Sequence, residues 1–281
     1  MENQSTITVA RKAASALLLV AVVAASWWPE LDRFASNTVD AALTRALSAF
    51  AVARGINGLI SVAQSAEVSV EPVGVGVSLS PGEILDPVND LVEQFSTLML
   101  AASASLGLQK LLIVASAWLP LKVSLSIAAL AWLLLSWRGT NGIALTIARN
   151  AAIVLLALRF AVPLSALASE AAYHALLEDE YTTSSAALEN ARDTLGAQSR
   201  TIAPELPADA GVLDRARAWL NDTRAAVDLP ERLQQLEATA TDVTRHIINL
   251  IAVFIVQTML LPLGFLWLAW SAVRRLADQG E

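Results

Sequence analysis

Apolar positions in this chain gather into blocks far longer than the core of a globular domain requires. The last block carries no charge from Ile247 to Val273, and Arg274 and Arg275 follow at once. At ~1.5 Å of helix rise per residue, such a run crosses a hydrocarbon core of ~30 Å. Similar runs predict transmembrane helices over residues 13–29, 111–137, 143–167 and 246–273. The run over 95–137 is long enough for one crossing or two. Two would place Arg138 opposite Arg11 and Lys12, whereas one, over 111–137, keeps all the basic flanks on the same side. We therefore expect one.

Between these runs the period changes. Residues 31–54 read as an amphipathic helix with Val39, Leu43, Ala46, Leu47 and Phe50 at helical spacing, ended by Gly55 and Gly58. Residues 67–79 alternate with period two through Val73, Val75 and Val77, which predicts a small β ribbon that needs a partner to pair with. A helix over 87–110 then approaches the membrane, with Ser80–Glu83 or Asp86–Pro87 as its start. Residues 168–245 form a second hydrophilic segment divided by Pro204, Pro207 and Pro230. Its last piece steps by three and four through Leu233, Leu236, Ala240, Val243, Ile247 and Leu250. This is a coiled-coil seam that continues into the closing span, and its partner is a helix of this chain or of another copy.

Charge placement gives these elements sides. All acidic residues except Glu2, Asp278 and Glu281 lie within 30–93 or 170–242. Basic residues instead mark the flank 1–12, the turn 138–142 and the tail 274–281, which the positive-inside rule makes cytoplasmic. The segments 30–110 and 168–245 are then periplasmic, and the expected location is a bacterial inner membrane with both ends in the cytoplasm. Residues 13–29 also suit a signal peptide cleaved after Val23-Ala24-Ala25, although Trp27 and Trp28 favour an interfacial belt. The fold class that follows is an all-α membrane protein. It has four transmembrane helices, an extramembrane helical and coiled-coil domain, and a small β ribbon.

Composition agrees, with 55% hydrophobic and 16% charged residues where a soluble domain carries about 25% charge. The chain has no cysteine, which removes disulfides, thiolate metal sites and thiol nucleophiles. A net charge of −7 gives no footprint for nucleic acid.

Candidate chemistry is sparse. Lys110, Lys122, Arg149 and Arg159 lie in or beside apolar runs, where an ionisable group is expensive. Arg159 and Lys110 can snorkel from near the outer boundary, while Lys122 is deepest and next to Pro120. Lys122 and Arg159, with Gln257 and Thr258 of the last span, are candidates for a polar path or for interhelical packing. His174 beside Glu178, Asp179 and Glu180 is better read as a solvated helix face than as a metal site. No H-E-x-x-H, G-x-S-x-G or P-loop occurs, nor an inverted repeat. We therefore expect no catalytic residue, cofactor or metal. The expected function is a non-enzymatic assembly or scaffold component. Its partners are the lipid bilayer and either further copies or a membrane or periplasmic protein. The alternative is an oligomeric channel or a transport-associated protein.

Overall fold

The computed structural model describes residues 2–65, 81–139, 142–202 and 229–278, which are helical almost throughout. Ala, Leu and Val dominate, and most breakers sit at element ends, as helix propensity requires. In chain order the helices are α1 (Glu2–Ser26), α2 (Pro29–Ser65), α3 (Pro81–Ser116), α4 (Leu119–Trp137) and α5 (Ile143–Ala172). A π-helical turn (Tyr173–Leu177) leads into α6 (Glu178–Ile202). After α7 (Leu229–Ile255) a second π turn (Val256–Leu260) leads into α8 (Leu261–Asp278). No strand occurs among the described residues. The ribbon expected over 67–79, with Val73, Val75 and Val77, lies outside them.

Four helical stretches are long and apolar enough to cross a membrane: Asp86–Ser116, Leu119–Trp137, Ile143–Ala197 and Glu237–Leu276. A fifth candidate is the pair Ala13–Ser26 and Pro29–Val62, bent by 58° at its break. The single crossing expected over 111–137 is thus interrupted, with Ala117 and Trp118 separating α3 from α4.

Proline chemistry explains both breaks. Pro29 has no N–H to give to the carbonyl four residues back, and its ring crowds that carbonyl. The end of α1 tightens instead: Trp27 and Trp28 donate to Ala24 and Ala25 at 3.1 Å, a shift from i−4 to i−3 acceptors. Pro120 acts likewise, and Trp118 donates to Ala115 at 3.2 Å. Pro120 then falls in the first turn of α4, where its missing donor is harmless. At each break a buried serine bonds back three residues, Ser26 to Val23 at 2.6 Å and Ser116 to Ile113 at 2.8 Å.

The chain divides into two compact units. One comprises Met1–Thr44, Ala102–Ala175 and Ile255–Glu281. In it α5 packs against both α4 and α8, and α1 packs against α4. Large apolar side chains face outwards, among them Leu119, Ile127, Leu130, Leu134 and Trp137 of α4. Such a surface suits acyl chains and is costly in water.

The other unit comprises Arg45–Ala101 and Leu176–Phe254. Each of its helical pieces buries one stripe: Ala46, Ala49, Ala53, Ile56 and Ile60 of α2; Val88, Val92, Phe95 and Met99 of α3; Leu188 and Leu195 of α6; Ala240, Val243, Ile247 and Leu250 of α7. The face expected of α2 holds at Val39 and Ala46 but not at Leu47. Alanines go inside, while Leu47 is half exposed. Gly55 and Gly58 do not end the helix, which continues to Ser65. A helical glycine costs only about 1 kcal/mol, and a Cβ on Gly55 would stand 3.1 Å from the Arg192 side chain of α6. Close packing therefore outweighs propensity at this position.

Candidate functional site

The break between α1 and α2 gathers most of the buried charge of the apolar unit. With Pro29 unable to donate, the chain turns and the Ser26 carbonyl accepts from Arg159 of α5, Nε at 3.2 Å and Nη2 at 3.0 Å. Asp32, in the first turn of α2, accepts from the same Nη2 at 2.9 Å. Its other oxygen makes an ion contact of 2.7 Å with Nη1. Lys122 of α4 approaches Asp32 at 3.4 Å. Beside this cluster, Trp27 Nε1 donates to Ser126 Oγ at 3.1 Å, tying the break to α4 a second time. The guanidinium is also 5.4 Å from the Phe160 ring, within cation–π range.

Burial decides how these contacts act. Arg159 is 0% exposed, while the side chains of Lys122 and Asp32 retain 13% and 16%. A buried guanidinium without a counter-charge is costly, so Asp32 is required where Arg159 stands. Two cations share this one carboxylate, and the cluster carries one positive charge in excess. A second ion pair, Lys110 to Asp40 at 2.6 Å, joins α3 to α2, but both partners are more than two-fifths exposed and screened.

The sequence candidates therefore divide. Lys122 and Arg159 come together on Asp32, and Arg159 is enclosed rather than reaching to an interface. Lys110 pairs with Asp40. Gln257 and Thr258 are buried in the second π turn, where the Thr258 carbonyl accepts from Ser105 Oγ of α3 at 3.4 Å. Ala240, Val243, Ile247 and Leu250 are buried in the unit that holds α6 and α7. Leu233 and Leu236 lie on α7, and their side chains are outside the described set. His174 lies 3.3 Å from Glu170, one turn back on its own helix.

Sequence reasoning missed Asp32, although a signal was present. Between residues 119 and 169 stand Lys122, Arg138, Arg149 and Arg159 with no Asp or Glu, so counter-ions had to come from elsewhere. Asp32 is an acid placed three residues after a proline break that follows an apolar run.

A second polar group joins α6 to α7. Ser184 Oγ donates to Glu180 Oε1 at 3.0 Å, and Nδ1 of His246 lies 3.1 Å from the same Oγ. Nε2 of His246 is 3.6 Å from Asp242, and Asn249 donates to Glu180 at 2.6 Å. Serine, histidine and aspartate in a row have the composition of a hydrolytic triad, but the geometry differs. Ser184 is 0% exposed and already gives its proton to Glu180, so it accepts from the histidine. It also sits inside α6, where backbone amides serve the helix and none is left to hold an oxyanion. The group acts as an interhelical tie, next to the edge-to-face contact of Tyr181 with Phe254. Among the described residues, no set of three His, Cys, Asp or Glu could hold a metal ion.

No protein-family model matches this chain, and neither a curated protein nor a solved structure is significantly similar to it.

Proposed function

We propose that this chain is a non-enzymatic, multi-pass membrane protein that works as an assembly or scaffold component, with the unit containing α6 and α7 in contact with further copies or with a partner protein. One observation carries the reading: the most deeply buried ionic and polar groups are engaged in holding helices to one another. Arg159 links α5 to the α1–α2 break, Lys122 brings in α4, and Ser184 with His246 joins α6 to α7. Such ties favour a fixed framework over a moving carrier. Positive flanks and acidic intervening segments support a bacterial inner membrane with both ends in the cytoplasm. The experiment is photo-crosslinking in cells from Leu47 and Ile248, which are half exposed in the same unit. A discrete crosslinked species is expected. A monomer alone, with nothing co-purifying, counts against the proposal.

One observation favours a second reading, the oligomeric channel. Two cations share Asp32, and the excess positive charge would draw anions if it lined a path. Reconstituted bilayers test this: a conductance abolished by Lys122→Leu supports the channel, and no current removes it.

A further inference from the structure

The α4–α5 hairpin has an unfilled apolar groove next to an unbalanced charge. The groove holds about 530 Å³ and is lined by Ser124, Ala131 and Leu135 of α4 and Ala144, Ala148 and Ala151 of α5, among others. From Ser124 to Leu135 it follows α4 for about 16 Å at the helical rise. Small side chains open it, since alanine on both walls leaves a channel where leucine would fill the space. At the Leu135–Ala144 end the chain turns, and Arg138 ends α4 one helical turn beyond Leu135.

The charge there is one-sided. Of the basic residues between 119 and 169, Lys122 and Arg159 share Asp32, and Arg149 donates to Asn150 beside it at 3.3 Å. Arg138 is exposed and has no ion-pair partner among the described residues. A greasy slot ending at an exposed cation complements one molecule: a chain with an acyl tail and an anionic head.

We propose that this groove binds an anionic phospholipid, one acyl chain lying between α4 and α5 and the phosphate meeting Arg138. Charge complementarity selects this occupant over a helix of a second copy, because an apolar helix in the groove would bring no counter-charge to Arg138, one turn beyond its end. A single Lys or Arg near an anionic surface contributes about 1 kcal/mol, which corresponds to roughly fivefold in affinity. The proposal is independent of the scaffold reading, since the groove lies wholly within one hairpin.

The test is native mass spectrometry of the full chain titrated with phosphatidylglycerol or phosphatidylcholine of the same tails. Wild type is expected to retain phosphatidylglycerol about fivefold better. Arg138→Gln removes that preference, and Arg138→Lys keeps it. Ala131→Leu fills the groove and lowers retention of both lipids, with circular dichroism confirming an intact helical fold. Equal retention of the two lipids by wild type overturns the proposal, as does an unchanged preference in Arg138→Gln. It is also overturned if Ala131→Leu splits a dimer, which would assign the groove to a second copy. Because Arg138 is exposed, its variant remains decisive if Ala131→Leu does not fold.

Discussion

Replacing Asp32 with asparagine keeps the shape of the side chain and removes its charge, leaving Arg159 and Lys122 facing each other with no counter-ion. Two unit charges about 4 Å apart interact by about 4 kcal/mol at an effective dielectric near 20. Removing one partner of a buried pair costs about 3–5 kcal/mol in measured cases. Arg159 is fully buried, so we expect Asp32→Asn to lose stability within that range, about 3–5 kcal/mol. Lys122 behaves differently: its 3.4 Å contact is loose, and methionine in its place leaves no unpaired charge behind, since Asp32 keeps Arg159. Lys122→Met should therefore cost under about 1 kcal/mol. In a Lys122→Met background, Asp32→Asn should cost less than it does alone, because the repulsion between the two cations is gone. Reversible unfolding in bicelles, followed by the fluorescence of Trp27 and Trp118 beside the breaks, measures all four corners of this cycle. The reasoning is refuted if Asp32→Asn costs less than about 1 kcal/mol, or if Lys122→Met costs as much as Asp32→Asn.

Two further outcomes follow from geometry. Ser184→Ala leaves the His246 Nδ1–H without its acceptor and should destabilise by about 1–3 kcal/mol, measured by denaturant titration. A fluorophosphonate probe should label neither protein, and labelling of Ser184 would show a nucleophile instead of a tie. Gly139 has φ +67°, in the left-handed region, so Gly139→Ala should cost about 1 kcal/mol and lower Tm by a few degrees. An unchanged Tm means that the turn does not hold that conformation.

Much of the helical framework was legible because hydrophobic runs and prolines are local signals. The Trp-Trp-Pro end of the first run and the proline after Trp118 both mark real breaks. What pattern reading could not supply was partner choice. Of the face expected for α2, Val39 and Ala46 are buried, but Leu43 and Phe50 are only partly so and Leu47 is half exposed, because interhelical distance and not side-chain greasiness decides which stripe fits inside. Pattern reading let Gly55 end a helix that tight packing carries onward. It also treated Arg159 as a residue that reaches for water, since nothing near it in sequence could neutralise it. Asp32 does so from 127 residues away. The seam of α7 was visible as a pattern, but the contacts of that helix with α6, through His246, Asn249 and Phe254, depend on the tertiary fold.

The Ser26 carbonyl and its Arg159 partner are separated by 133 residues. At ribosomal speeds of about 5–20 residues per second, roughly 7–27 seconds pass between their syntheses. During that interval the bend between α1 and α2 presents a bare peptide oxygen and a carboxylate that only Lys122 can meet. Maturation of this protein therefore has an order: the first bend can lock only after the fifth helix has emerged.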